Sequence, residues 1–546
     1  MTRHCFGLPM CVASLLLSLS ATNAGPSPIP TLLPTFLPTN ERAALSMLYL
    51  STKGKSDWGT RTNWMDESKR VSEWYGIATA NDGSVSSVNM YANKLNGSLP
   101  TEIGLLAKAV SFKLQHNSIS SSIPTQLGQL VDLEGFGLND NSMSSSIPSE
   151  VGKLVKAARL FLNSNFLSSS IPTQIGQLVN AEIVKVKEND LSSSIPTQIG
   201  HLVNVTDLHL EHNHISSSIP SQVGELVSIV KFGLNSNNIS SSIPTELGNL
   251  ENAVSFNPAF NSITSSIPTE LGNLENVVSF IPALNSITSS IPTELGKLTK
   301  VLYFDMDTND ITSSIPTELG ELTEVLYFDL DTNDISLSIP TELAQLVELT
   351  YFDVYHNSIS STVPTEYGKL VKAATFDLGV NNMSSTIPSE LSHLRAVEYF
   401  DLGYNSFHNS IPTELGHLKS VDQFILNYNS VTGSIPTQLG RLKMNGGSFR
   451  IQHNSIKGEI PTQLGRLVAV EHLYVKENGL SLSLPTQLGA LSAMKVFQIQ
   501  TNQVMDKLPT EIGSLTSAVN IIAESNAIGG QHSCEYCTKV PKATSR

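Results

Sequence analysis

Apolar and polar positions along this chain recur every 24 residues. One period reads Ile291-Pro-Thr-Glu-Leu-Gly-Lys-Leu-Thr-Lys-Val-Leu-Tyr-Phe-Asp-Met-Asp-Thr-Asn-Asp-Ile-Thr-Ser-Ser314. Prolines fall at 100, 124, 148 and onward to 436, then at 461, 485 and 509 after one step of 25. Asparagines keep the same beat from Asn93 to Asn526 and count 19 units. Six residues after each proline stands a leucine, from Leu106 to Leu515. Such a period is sought first, because it replaces any domain count based on length. In Phe304-Asp-Met306 alternation places Phe304 and Met306 inward, with Tyr303, Asp305 and Asp307 on the outer face of a short strand. Asn309 then leaves the strand. Asn tolerates unusual backbone angles, and its amide can serve buried main chain of the adjoining coil. Pro-Thr-Glu-Leu-Gly gives one tight helical turn, which Gly320 and its counterparts are expected to end. No unit can bury its core alone, so the units must stack into a solenoid. Nineteen strands at ~4.8 Å form a parallel sheet roughly 85–90 Å long.

This pattern resembles the 24-residue plant type of leucine-rich repeat, over residues 85–528. The resemblance implies an α/β leucine-rich repeat solenoid of about 19 repeats. That is a curved right-handed coil, with a parallel β-sheet on the concave face and short helical turns on the convex side. It departs from the family at one position. The glycine four residues after the Asn is usually serine here, as at Ser121 and Ser289, and only Gly97, Gly433 and Gly458 keep it. Residues 40–84, with Asn40 as helix N-cap and with Trp58, Trp64 and Trp74-Tyr-Gly-Ile77, resemble the N-terminal cap of such proteins, known also from secreted diatom and oomycete repeat proteins. The cap's usual cysteines are replaced by Ser72 and Thr79, so its disulfide is absent and aromatic packing must hold it.

The ends carry other signals. Arg3 and His4, the apolar run Val12–Leu19 and small residues up to Ala24 have the layout of a secretory signal peptide, 1–24. Residues 25–39 hold five prolines and read as an extended linker. Residues 529–546 form a polar tail with Cys534-Glu-Tyr-Cys537, where a local or interchain disulfide fits a secreted protein better than redox work. The sequons at Asn96, Asn204, Asn238 and Asn382 fit secretion to the cell surface or wall, with glycosylation. The unit at Lys443-Met-Asn-Gly-Gly447 has one extra residue and should bulge. Pro258 and Pro282 fall at inward strand positions, each removing a ladder donor, and mark a weak seam.

A net charge of −15 excludes the basic footprint that nucleic-acid binding needs. No kinase segment, phosphate loop or nucleophile elbow occurs, so no enzyme is expected and no cofactor is implied. The variable strand face carries the candidate chemistry. Asp305, Asp329, Asp353, Asp377 and Asp401 share one position in five consecutive coils, flanked by Tyr303, Tyr327, Tyr351 and Tyr399, with Thr375 in the fourth. Asp307 and Asp331 widen the acidic area. Tyrosines suit protein or sugar partners, and carboxylates one strand apart suit a basic partner. A calcium loop at Asp305-Met-Asp-Thr-Asn309 fails, since its sixth position is Asp310 and its twelfth Pro316. A cation across Asp305, Asp307, Asp329 and Asp331 is a minor alternative. His209, Glu211, His212 and His214 read as a solvated face rather than a metal site, with His209 and Glu211 on the exposed strand face. No metal is assigned.

The leading reading is therefore an extracellular, non-catalytic protein that binds a protein, peptide or polysaccharide on its concave face. It is similar to the ectodomains of leucine-rich repeat receptors and to free-standing repeat inhibitors. The alternative is a structural wall or matrix protein, or an ice-binding array, using the Ser/Thr ladder from Ser120-Ser-Ser122 to Thr312-Ser-Ser314.

Overall fold

The computed structural model describes residues 41–528. The expected signal peptide, the proline linker, the Asn40 cap and the Cys534/Cys537 pair lie outside the described residues. A helix, Glu41–Ser51, opens the chain and buries Ala44, Leu45, Leu48 and Tyr49. A hairpin follows, in which Ile77–Thr79 pairs antiparallel with Val85–Asn89. From there 19 parallel strands continue one sheet, ending at Asn520–Ile522. Equivalent residues pair in register, as in Tyr303↔Tyr327, Phe304↔Phe328 and Asp305↔Asp329.

Each repeat proline, its φ fixed by the ring, stands just before a five-residue 3₁₀ turn such as Thr317–Glu321. Gly320 does not end this turn. It lies inside it, and Leu322 closes the turn with φ −75°. The glycine serves stacking instead: a Cβ there would lie 2.6 Å from the carbonyl oxygen of Glu342 in the next coil. Backbone therefore approaches backbone at this corner, which favours glycine; in two coils the small residues Ala344 and Ser392 take its place.

The asparagine ladder works as expected, but the unusual angle belongs to its neighbour. Thr308, not Asn309, has φ +49°, and the residue before every ladder Asn behaves alike, as at His116 and Tyr404. The Asn309 amide donates to the carbonyls of Pro282 (3.1 Å), Met306 (3.3 Å) and Asp307 (3.1 Å). Its oxygen accepts the Ile287 N–H at 3.0 Å. Ser121 and Ser289 take φ +73° and +76°, so the backbone of the family's glycine position persists with a side chain added.

Inward strand residues form the core. From Phe256 to Phe449 nine phenylalanines stack coil on coil, with adjacent centroids between 5.1 and 6.1 Å apart. At the N-terminal end Tyr49, Trp58, Trp64 and Trp74 make one aromatic cluster, all buried. The extra residue near 445 is absorbed before the strand, where Gly446 and Gly447 take φ +106° and +74°, and Ser448–Arg450 regains register.

Pro258 and Pro282 are buried at inward positions. The strand Ser279–Phe280 is cut to two residues, and the eight-stranded flanking sheet that starts at Asn96–Ser98 stops at Ser262–Ile263. Both sheets thus weaken at one place. Hydrogen exchange should be faster in coils 255–285 than in coils 303–353, because local opening follows missing ladder bonds. Equal protection across the two regions would remove the seam.

Candidate functional site

The outer strand face carries the aspartate row in register from Asp305 to Asp401. The expectation of an exposed acidic stripe needs correction. Asp329, Asp353, Asp377 and Asp401 are only 4–6 % exposed. Tyr303 is exposed, while Tyr327, Tyr351 and Tyr399 are half-buried, as are Asp305, Asp307 and Asp331. Strand spacing explains the burial. Side chains one coil apart fill the gap between them, and the tyrosine rings lie across it, with Tyr327 and Tyr351 stacked at 4.3 Å.

Each carboxylate is pinned. One oxygen of Asp329 accepts the Asp331 N–H at 3.0 Å, and the other accepts the Tyr327 hydroxyl at 2.7 Å. Asp353 takes the Tyr355 N–H and the Tyr351 hydroxyl, and Asp401 takes the Gly403 N–H and the Tyr399 hydroxyl. Burial, then repulsion from neighbouring carboxylates, raises Asp377 to about 9. Burial is also the main cause that lifts Asp305 and Asp329 to about 7 and Asp353 and Asp401 to about 6.

A carboxyl whose folded value is raised is neutral in the fold at a pH where the unfolded chain is ionised. Stability is therefore highest below the ordinary value of 3.8 and falls as pH rises through the folded value. Asp377→Asn removes that penalty without changing shape. Its gain in thermal stability over wild type should be small near pH 4 and grow toward about pH 9. A pH-independent difference in melting temperature would refute the assignment.

The expected cation set changes as well. Among the described residues, Asp329, Asp331 and Asp353 are the carboxylates whose oxygens gather within 4.8 Å, rather than Asp305, Asp307, Asp329 and Asp331. The histidine unit does not converge. His209 meets Glu211 at 2.9 Å, whereas exposed His214 lies 3.8 Å from Asp190. Glu211 is buried rather than solvated, against Gly233. Of the sequons, Asn204, Asn238 and Asn382 are exposed, with the Asn204 amide donating to the Val179 carbonyl, while Asn96 is half-buried and its amide donates to Asp57.

A groove of about 440 Å³ opens over Asp353, Asp377 and Asp401. Its rim and floor include Gly379, Gly403, Tyr404, Asn427, Arg450 and Gln452, none of which the sequence reading singled out. The available signal was the residue two after each aspartate. It is large or polar in Asp307, Asp331 and Tyr355, then glycine in two successive coils.

No protein-family model matches the chain, and no curated protein matches it in sequence. Solved structures do. The plant peptide hormone receptor RGFR1 in complex with RGF2 is 27% identical, over 84% of this chain and 84% of that one, with a TM-score of 0.67. The Arabidopsis receptor kinase HAESA, in complex with the peptide hormone IDA and the co-receptor SERK1, is 24% identical over 89% and 90%, with a TM-score of 0.67. A leucine-rich repeat protein of Leptospira interrogans is 23% identical over 81% and 96%, with a TM-score of 0.51. Among the described residues no helix is long and apolar enough to cross a membrane.

Proposed function

We propose that this chain, a leucine-rich repeat solenoid of the plant type, is an extracellular, non-catalytic recognition protein that binds a peptide or protein segment along its concave strand face. The observation that carries the reading is the in-register row of tyrosines over pinned aspartates from Tyr303 to Asp401. A row of this kind offers rigid aromatic area with fixed acceptors, and it is long enough to engage an extended segment coil by coil. The likeness to a peptide hormone receptor solved with its peptide supports the same choice.

Replacing Tyr327 and Tyr351 together with alanine should weaken a captured partner by about 2 kcal/mol or more, because interface energy concentrates in such aromatics. Ser265→Ala and Ser289→Ala on the flank should leave binding unchanged. The measurement is pull-down from extracellular extract, followed by titration of the captured partner against each variant. Loss of binding only in the serine variants would instead support the structural-array alternative.

A further inference from the structure

The tyrosine row is broken at one coil, and the groove runs past the aspartate of that coil on the side of Gly379 and Gly403. Thr375 stands in register between Tyr351 and Tyr399. Asp353 and Asp401 each accept a tyrosine hydroxyl, but Asp377 has threonine at the corresponding position and is held by the Gly379 N–H at 2.8 Å. Gly379 and Gly403 clear the floor beside it. A Cβ at Gly379 would sit 3.0 Å from an Asp377 oxygen and 3.1 Å from an Asp401 oxygen. One at Gly403 would sit 2.8 Å from the Asn427 side-chain oxygen and 3.0 Å from Asp401.

Two further acceptors complete the lining. Asn427 is 5 % exposed and Gln452 9 %, and the amide oxygen of each lacks a donor among the described residues. Buried acceptors without donors cost free energy that an incoming donor recovers. The groove thus presents oxygens on several sides, with tyrosine rings as walls. Four aspartates line it against one arginine, Arg450, whose guanidinium leans over the ring of Tyr474, 5.5 Å away on the next strand.

We propose that this groove seats a guanidinium, carried by an arginine side chain of the segment that the strand face binds. The inference rests on the peptide-binding reading above and adds the ligand's chemistry. A guanidinium supplies five donors in a planar fork and stacks on aromatic faces. Asp377, Asp401, Asn427 and Gln452 offer acceptors, and Tyr355, Tyr399 and Tyr404 offer faces. The groove is far larger than a bare metal ion, and its aromatic walls contribute nothing to one, which favours an organic cation.

The test uses the full chain panned against a random dodecapeptide library. Surviving peptides are resynthesised with each arginine replaced by citrulline, which keeps the shape and removes the charge. Affinities are measured by calorimetry against wild type and Asp377→Asn. Against wild type, one citrulline replacement should weaken binding at least about tenfold, or about 1.4 kcal/mol. Against Asp377→Asn the same replacement should cost much less, because an incoming guanidinium ionises Asp377 and asparagine cannot supply that charge. Gly403→Ala, which fills the floor, should weaken only the arginine form.

Survivors that lack arginine, or equal citrulline effects on both proteins, overturn the guanidinium site. If those peptides still lose binding in the Tyr327/Tyr351 variant, the broader reading stands. Displacement of an arginine peptide by calcium chloride, abolished in Asp377→Asn, would make the groove a metal site and also overturn the proposal. No surviving peptide at all would sink the peptide-binding reading itself.

Discussion

Asn309→Ala should destabilise its coil by roughly 3–4 kcal/mol, through one stranded donor more than through lost contacts. The three carbonyls that Asn309 serves each keep another partner. Pro282 still receives the Asn285 amide, Met306 the Asn333 amide, and Asp307 the Leu284 N–H. Carbonyl oxygens have two lone pairs and tolerate the loss. The Ile287 N–H has only one proton, and the Asn309 oxygen is where it goes. That N–H is buried, so leaving it unpaired costs its full desolvation. Asn309→Asp is the informative companion. It keeps an acceptor for Ile287 but turns a carboxylate oxygen on three carbonyls, so near neutral pH it should be no better than alanine. Chemical denaturation and hydrogen exchange over coils 285–333 measure both variants. A loss below about 1 kcal/mol for alanine would mean that the ladder is decorative.

Trp74→Ala should cost about 3–5 kcal/mol and loosen the first coils, because it removes a large buried ring from the aromatic cluster at the N-terminal end of the array. Trp74 is 2 % exposed, 5.0 Å from Trp64 by ring centroid, and covered by the Arg42 guanidinium at 5.1 Å. Arg42 is itself fixed by the carbonyls of Asp66 and Lys69. The Trp74 indole N–H has no acceptor among the described residues, whereas that of Trp64 donates to the Tyr75 carbonyl at 2.9 Å. Trp74→Phe should therefore be much milder than Trp64→Phe, since only the second breaks a hydrogen bond. Thermal melting and a size measurement distinguish local loosening from aggregation. An alanine variant that melts like wild type would show that residues 40–84 do not cap the array.

The sequence alone determined the architecture of the described coils. A strict period in Pro, Leu and Asn leaves the chain one way to bury its apolar positions, and the in-register pairing of Tyr303, Tyr327 and Tyr351 follows from that period. It also determined that the N-terminal segment relies on aromatic packing, since Ser72 and Thr79 cannot form a disulfide.

Tertiary structure decided three things that periodicity does not contain. The repeat glycines, exemplified by Gly320, answer to the backbone of the following coil, a contact invisible within one unit. The left-handed residue is the one before each Asn, because that residue makes the turn while the Asn faces inward to serve carbonyls of its own and the preceding coil. The aspartates point outward, as alternation requires, yet are buried, because strand stacking and tyrosine rings close over them. Alternation fixes which side of a sheet a residue takes. Whether water reaches it depends on neighbours 24 residues away; Asp377 stays buried, and the groove beside it opens over Gly379 and Gly403.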